Sequence, residues 1–313
     1  MTFMSWVTRT TKTVFARTLW SIIGALTIGS QPGEMSLLYV LRHVRALGGM
    51  DSLFASLSGG NERSFTGGSA RLAEMMAADL GDRLAVDCPI SSVRYHDQSV
   101  EVTTVEGEVL RARHVIIAMS PADRESIRFD PPLPAAHRTL GERMSMAHAY
   151  KVHVVYSSPF WRDRGLNGSI MTDTGPLILT FDDTPPDSQE GVIVGFGRAD
   201  GGPNCYLPDA MPSDPAERKR AVLAGLARAC GEQAMSPTEY HEFDWTQEPY
   251  TVGCIPVWPP GLVTAVGAGF TDPVGPLHWA GSELSPRWAG TMEGAIVTGE
   301  RAATEVVVRM CTG

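Results

Sequence analysis

Long runs of positive charge are absent from this 313-residue sequence. Lys and Arg together number 26 against 35 Asp and Glu, so the formal net charge is -9. No stretch contains five or more basic residues in succession. Proteins that bind nucleic acid need a basic face to neutralise the phosphates. The composition therefore argues against nucleic acid as a partner.

Cysteine is scarce, and its spacing fits neither a disulfide framework nor a metal site. The set is odd in number and scattered along the chain, and no CxxC pair occurs. Such a set favours free thiols in a reducing compartment. We therefore expect a cytoplasmic protein without a bound metal. The cysteines are Cys88, Cys205, Cys230, Cys254 and Cys311.

Apolar runs long enough to cross a membrane are also missing. The run Leu19–Gly29 has 11 residues, whereas a spanning helix needs about 20. Arg9, Lys12 and Arg17 precede this run, so a signal peptide is the weaker alternative to a buried helix. No apolar tail follows Val308. We expect a buried helix near the start of the chain and no transmembrane segment.

A complete glycine-rich dinucleotide fingerprint is absent as well. GxGxxG grips a pyrophosphate where it follows a strand and opens a helix. The two partial matches, GFGRAD at 195–200 and GAGFTD at 267–272, lack the third glycine and this strand–turn–helix context. The chain therefore offers no βαβ unit of the kind that usually holds the adenosine half of a dinucleotide.

Hydrophobic periodicity predicts helices in the first part of the chain. Residues 1–55 are predicted to be helical, and Gly48-Gly49 ends the segment in which apolar residues recur at helical spacing. After a loop at 59–69, Ser69 is the expected N-cap of a helix that ends at Gly81. A further helix is predicted at 216–231.

Alternating and β-branched residues predict strands in the middle of the chain. Hairpin turns are expected at His96-Asp97 and Glu106-Gly107. Val115–Met119 is a continuous apolar run, typical of a strand buried on both faces. AYKVHVVY at 149–156, followed by ILTFDD and VIVGFG, predicts three more strands.

The stretch LHWAGSELSPRWAGTMEGAIVTGERAATEVV, residues 277–307, combines a strand, a glycine-rich turn and a helix. Gly281 permits a turn that other residues resist, and Gly290 removes a side chain where a ligand could approach. The helix that follows offers free N–H groups and a positive dipole end. The pattern by itself leaves open either a phosphate-binding site or a plain packed corner.

This stretch resembles the C-terminal flavin motif of the flavin-containing amine oxidases, the monoamine oxidase family. The resemblance extends from about residue 5 to 308, because further family-like segments follow one another in the family's order. It implies an α/β fold with α+β elements, in which an incomplete FAD/NAD(P)-binding-type domain is interleaved with a mixed-sheet and helical substrate domain. The segments are NERSFTGGSARLAEMMAADLGDRL, VIIAMSP, FDPPLP, AYKVHVVYSSPFW, LTFDD, and PYTVGC followed by PPG.

The resemblance also implies where the two domains alternate. Residues 1–65 correspond to the helical part of the substrate domain and 66–140 to part of the FAD-binding domain. Residues 141–247 correspond to the sheet part of the substrate domain, and 248–313 to the C-terminal motif of the FAD-binding domain.

Matching positions imply roles for individual residues. Lys151 matches the active-site lysine that holds a water near flavin N5, and Trp245 matches a tryptophan beside the flavin. Ile90 matches a position whose backbone meets the adenine. Cys254 matches a cysteine that forms a thioether to the flavin 8α carbon; relatives also bind FAD without this bond, so both arrangements stay open. The segment that lines the ribityl chain, pyrophosphate and ring edge is matched by Gly281, Ser282, Glu283, Gly290, Thr291 and Met292.

Two substrate-pocket positions depart from the monoamine oxidases. Where those enzymes place a pair of tyrosines around the amine, this chain has Ile255 and Thr291. The aromatic cage is therefore expected to be absent, and simple arylalkylamines, other amines, amino acids and polyamines all stay open as substrates.

The resemblance implies an FAD-dependent oxidase that uses O2 to convert an amine to an imine or aldehyde, ammonia and H2O2. About the first third of the family, which carries GxGxxG, has no counterpart here. The chain is thus interpreted as a truncated oxidase or as part of a split enzyme that a separate polypeptide completes. The alternatives are an inactive remnant and a non-catalytic binding subunit of the same fold.

Overall fold

The computed structural model describes residues 1–51, 65–172, 175–198, 211–251 and 253–312. The chain forms two units, and each is built from two separate segments. The first unit comprises Met1–Leu37 and Met144–Gly261, and the second comprises Leu38–Arg143 and Leu262–Gly313. The chain therefore changes unit after residues 37, 143 and 261, whereas the sequence places the changes near 65, 140 and 247. The assignment of these segments to substrate and FAD-binding roles stays a prediction.

Helices and strands of the described residues alternate along the chain. The helices are α1 (Phe3–Thr10), α2 (Val14–Ile28), α3 (Leu37–Ala46), α4 (Ala70–Leu80), α5 (Ala135–Arg143), α6 (Pro215–Cys230), α7 (Leu262–Val266) and α8 (Met292–Thr312). The strands are β1 (Ile90–His96), β2 (Ser99–Thr104), β3 (Val109–Ala112), β4 (Val115–Ile117), β5 (Arg128–Asp130), β6 (Ser145–Met146), β7 (Ala149–Tyr156), β8 (Ile170–Met171), β9 (Leu177–Asp182), β10 (Gly191–Arg198), β11 (Glu239–Asp244), β12 (Pro256–Val257) and β13 (Leu277–Trp279). None of these helices is long and apolar enough to cross a membrane.

The first unit is organised by an antiparallel five-stranded sheet in the order β11-β7-β10-β9-β8. Strand β7 has the predicted bounds, and its residues alternate between buried and half-buried. One set of alternate residues, from Tyr150 to Tyr156, joins the core cluster with side chains of α6 such as Val222 and Leu226. The strand period of two thus directs one face of β7 into the core and leaves Lys151 on the other face.

Helix α6 confirms the helix predicted at 216–231. The Asp214 side chain accepts a hydrogen bond from the N–H of Glu217, and Pro215 occupies the first turn, where its missing N–H costs nothing. Gly231, with φ 103°, ends the helix. These signals at both ends make the helix readable from sequence.

The predicted buried helix near the start of the chain corresponds to α2. Ile22, Ile23 and Ile28 are buried, and Leu19 is exposed. The apolar run therefore belongs to a longer amphipathic helix of 15 residues, and only one side of it enters the core.

The second unit contains a four-stranded sheet, β3-β2-β1-β5, and a separate parallel pair, β13-β4. The predicted hairpins are confirmed, since β1 and β2 pair up to His96 and Ser99, and Gly107 turns the chain between β2 and β3 with φ 89°. The prediction of a strand buried on both faces at Val115–Met119 is wrong. Strand β4 ends at Ile117, and Ile116 is exposed, because none of the described residues fully covers that face of the strand.

The predicted helix that ends at Gly81 is confirmed as α4, but its expected cap is wrong. Ser69 has helical dihedral angles and its side chain makes no capping hydrogen bond, so it cannot satisfy the free N–H groups of the first turn. None of the 11 residues of α4 is buried. The predicted loop at 59–69 lies partly outside the described residues.

Candidate active site

The strand–turn–helix motif of the second unit forms a corner in which hydrogen bonds join the turn to the helix. Gly281 follows β13 with φ 152°, and a Cβ there would collide with the Glu283 carboxylate. The Gly281 N–H donates to Thr298 Oγ1 at 3.0 Å, and the Thr298 hydroxyl lies 3.1 Å from the Gly281 carbonyl oxygen. The turn is therefore fixed to α8 through one threonine, and glycine is required where it begins.

Gly290 forms the second open point of this corner. It is exposed with φ 79°, and the nearest atom to an added Cβ would be His43 Cε1 at 3.7 Å. Its N–H donates to the Ser282 carbonyl at 3.1 Å, which closes the loop between the two glycines. The Thr291 hydroxyl then accepts from the N–H of Gly294 at 3.2 Å and caps α8. The predicted residues Gly281, Ser282, Gly290 and Thr291 are thus brought together, and Met292 opens the helix beside them.

Glu283 is a buried acidic residue of this corner. It is only 7% exposed, and its Oε1 has no hydrogen-bond partner in the described structure. Burial raises the pKa of the Glu283 carboxyl, whereas its own backbone N–H and the Ser282 hydroxyl act in the opposite direction. A buried carboxylate oxygen without a partner is costly in an isolated protein. Such an atom is typical of a site that a ligand completes.

Trp288 shows that the corner is held in a strained conformation. Its φ of 55° is unusual for a residue with a side chain. Its N–H donates to the carbonyl of Ala46, at the end of α3, at 2.7 Å.

Ile90 stands apart from this group within the same unit, at the beginning of β1, where it pairs with Thr104 next to an irregularity in the strand register. No hydrogen bond of the described structure joins Ile90 to the corner.

The remaining predicted residues lie in the first unit, around Lys151. Lys151 stands directly opposite Phe196 on β10 and Phe243 on β11. Its Nζ lies 5.5 Å from the centre of the Phe196 ring, which is cation–π distance. Because directly paired residues of an antiparallel sheet share a face, the ammonium group has an aromatic side chain on each side.

Two further aromatic residues extend this face. Phe181 on β9 meets Phe196 edge to face at 6.3 Å, and Trp245 meets Phe243 at 4.7 Å. Trp245 was predicted, whereas Phe181, Phe196 and Phe243 were missed. The sequence of each strand shows which of its alternate positions holds a phenylalanine. The register between strands, however, decides which phenylalanines face Lys151.

Cys254 and Ile255 are placed by backbone pairing with the segment before β7. The N–H of Cys254 donates to the Ala147 carbonyl at 3.0 Å, and the N–H of Ala147 donates to the Ile255 carbonyl at 2.7 Å. Packing around the sulfur raises the pKa of the Cys254 thiol, although the residue keeps an exposed surface; the Lys151 ammonium lowers it.

Comparison with known proteins identifies the family. The protein-family model described as flavin containing amine oxidoreductase matches residues 14–307. The chain belongs to this family. An amine oxidase [flavin-containing] of Danio rerio is 37% identical over 299 residues, which are 94% of this chain and 56% of that protein.

Solved structures of amine oxidases have the same fold. Cyclohexylamine oxidase from Brevibacterium oxydans is 31% identical with a TM-score of 0.86, and the match covers 99% of this chain and 68% of that one. A putrescine oxidase bound to putrescine is 26% identical with a TM-score of 0.87 over 98% of this chain and 68% of that one. The predicted FAD-dependent amine oxidase fold is confirmed. The chain spans 64% of the length of the first curated relative it matches and 56% of the zebrafish protein.

Proposed function

We propose that the chain supplies the substrate pocket and one flavin-binding corner of an FAD-dependent amine oxidase. The observation that carries this proposal is Lys151 set between aromatic side chains on an open sheet face. Bound FAD would supply the redox chemistry, by accepting a hydride from the carbon beside the amine and passing the electrons to O2. The products would be an imine or aldehyde, ammonia and H2O2.

The corner around Gly281 and Gly290 suits the ribityl–pyrophosphate part of such a cofactor. The bare backbone at Gly290 leaves room for close approach, and the unpartnered Oε1 of Glu283 offers an acceptor for a hydroxyl. Thr291 and Met292 stand at the positive end of α8, which favours phosphate. Ile90, Trp245 and Cys254 complete the proposed flavin contacts, and a covalent bond through Cys254 belongs to the same proposal.

In this proposal Lys151 is the polar group beside the aromatic side chains of the sheet face. Its ammonium can donate hydrogen bonds to a water or to dioxygen, and Phe196 keeps it in place through the cation–π contact. The side chains of Phe181, Phe243 and Trp245 extend the apolar part of the same face. With Ile255 and Thr291 in place of a tyrosine pair, we propose a substrate amine with an apolar carbon skeleton.

A separate polypeptide with a GxGxxG unit is proposed to complete the flavin site. Two helices of the second unit support a docking surface for it. A groove of about 490 Å³ runs between α4 and α8, and the helix residues along it are mostly apolar and uncovered. Uncovered apolar side chains of this extent mark an interaction surface. The groove is lined by Leu72, Ala73, Met76, Met292, Ala295, Ile296, Gly299 and Glu300.

The cytoplasm is the proposed compartment. The cysteines of the described residues, Cys88, Cys230, Cys254 and Cys311, are free. Unpaired thiols at exposed positions such as Cys254 and Cys311 persist where the surroundings are reducing.

The first test is an absorbance spectrum of the chain purified after expression with FAD, alone and together with a GxGxxG polypeptide from a relative. Flavin peaks near about 375 and 450 nm in the purified protein support the proposal. Yellow colour that stays in the acid precipitate supports the Cys254 bond. A folded complex that carries no flavin contradicts the proposal and favours the remnant or the binding subunit.

The second test concerns Lys151 in the flavin-loaded protein. With an apolar primary amine, Lys151→Met is expected to lower kcat/KM for peroxide release by roughly a hundredfold or more, because a positioned donor is lost. Lys219→Met is the matched control, since Lys219 also lies over an aromatic ring, that of Tyr240 at 5.3 Å, but belongs to α6. Equal losses in both variants would mean that Lys151 has no special place in the reaction.

A further inference from the structure

The corner between α1 and α2 combines exposed apolar side chains with positive charge. Phe15 is 77% exposed and Val14 is 72% exposed, and they stand side by side in the first turn of α2. Leu19, one helical turn after Phe15, is also exposed. Large side chains presented to water in this way are unfavourable unless another phase or molecule covers them.

The charged side chains that the corner's own segment contributes all have one sign. Arg9 and Lys12 are exposed immediately before Val14, and Arg17 lies between Phe15 and Leu19. The first 33 residues contain no Asp or Glu, although the chain as a whole has a net charge of -9. Positive side chains grouped beside an apolar tip attract a negatively charged surface at distances within about a Debye length.

Several polar groups of the corner are hydrogen-bonded within it, although the buried Nε of Arg17 has no partner in the described structure. Thr13 Oγ1 accepts from the N–H of Ala16 at 3.2 Å and caps α2. The Thr10 and Thr11 hydroxyls donate to the carbonyls of Trp6 and Val7 at 2.8 and 2.7 Å. The Arg17 guanidinium donates to the Thr11 carbonyl at 3.2 Å, which ties the end of α1 to α2. The tip can therefore leave water without exposing unpaired hydrogen-bonding groups at these positions.

We propose that the α1–α2 corner, residues 9–19, docks on an anionic lipid bilayer. Val14, Phe15 and Leu19 enter the boundary between headgroups and acyl chains, while Arg9 and Lys12 meet the lipid phosphates. The positive charge of the corner favours an anionic bilayer over a neutral one. A neutral bilayer would contact only the apolar side chains favourably, whereas an anionic bilayer would also attract the basic side chains. The proposed binding is peripheral and uses the corner alone; no helix of the described residues is long and apolar enough to cross a membrane. This inference does not depend on the proposed oxidase function.

The test is flotation of the full chain with lipid vesicles in a density gradient, since aggregates sink while bound protein rises. We expect the chain to float with vesicles of phosphatidylglycerol and phosphatidylcholine in equal parts, and to stay below with phosphatidylcholine alone or at high salt. The double change Val14→Ser with Phe15→Ser should weaken binding more than about tenfold. Lys12→Glu should weaken it by about tenfold or more, because it reverses one charge.

The matched control is Val109→Ser with Leu110→Ser, which removes two adjacent exposed apolar side chains from β3. This control should float as the unchanged chain does. Failure to float with anionic vesicles, equal flotation on neutral ones, or an equal loss in the control would overturn the proposal. A shift from dimer to monomer in the corner variant without lipid would also overturn it, because a second copy would then cover the corner.

Discussion

Helices α6 and α4 carry the same kind of amphipathic pattern, yet they differ in what covers them. In the first unit, α6 turns Val222, Leu223 and Leu226 into the core beneath the sheet. In the second unit, α4 presents a stripe that includes Met75, Met76 and Leu80, and none of its residues is buried. Helical spacing therefore predicts that a helix forms, but it does not show whether the rest of the chain supplies the opposite surface.

The two groups of candidate site residues, one in each unit, differ in the same way in how firmly they are supported. Lys151 and its aromatic neighbours stand on a sheet whose other face is fully packed, so their positions are well determined. The glycine corner of the second unit depends on α8, one side of which is uncovered along the groove with α4. Preorganised sites need rigid support, and the first unit provides more of it than the second.

The largest expected effect comes from opening the packed core. Leu226→Ala should lower the free energy of unfolding by about 2–5 kcal/mol, because Leu226 is 1% exposed and its loss leaves a cavity. Met76→Ala is the matched change on α4, and it should alter stability by less than about 0.5 kcal/mol, because Met76 is 56% exposed. Urea unfolding followed by circular dichroism measures both.

The variants Leu226→Ala and Met76→Ala can also be compared in the complex with the proposed partner polypeptide. Met76→Ala should then weaken the complex, while Leu226→Ala should affect only the stability of the chain. A large cost of Met76→Ala in the isolated chain would mean that α4 is already covered.

A smaller effect on the free energy of unfolding is expected when the pH is lowered, and it arises from His137 in the second unit. Burial, assisted by the nearby Arg124 charge, lowers the pKa of His137 from 6.5 to about 4. The unfolded chain therefore binds this proton at a higher pH than the folded chain does, so the contribution of His137 to stability is present above about pH 6.5 and is lost as the pH falls towards 4. The loss should amount to about 3 kcal/mol at most.

His137→Gln tests this assignment, because glutamine does not titrate in this range. The variant should lose less stability than the unchanged chain between about pH 6.5 and 4. His241→Gln replaces an exposed histidine of β11 and serves as the control. An unchanged slope in His137→Gln would assign the acid sensitivity to other groups.

The elements that could be predicted from the sequence are those whose burial is decided locally. Strand β7 was predicted with its observed bounds because a half-buried strand shows its period in every second residue. Helix α6 was predicted because apolar residues such as Leu223 and Leu226 are available for one buried side, and both are buried in the structure. Ile116 was wrongly expected to be buried, since a continuous apolar run does not reveal whether both faces are covered.

The candidate site was predictable only in part. Resemblance selected Lys151, Cys254 and the glycine corner, and their roles stay predictions. Pairing across strands, which places Phe196 and Phe243 beside Lys151, depends on contacts between distant segments and is not contained in any one strand. The missing hydrogen-bond partner of Glu283 likewise appears only after folding.

The smallest expected effects compare two glycines of α8. A Cβ at Gly294 would collide with the carbonyl oxygen of Trp288, whose strained backbone forms part of the glycine corner, whereas a Cβ at Gly299 meets no atom within 4 Å. Gly294→Ala should therefore cost about 1–3 kcal/mol of stability. Gly299→Ala should stabilise the chain by about 0.5–1 kcal/mol, because alanine loses less backbone entropy in a helix. Thermal unfolding of the two variants measures the difference, and a gain in both would mean that the corner relaxes freely and is not held by its contacts with α8.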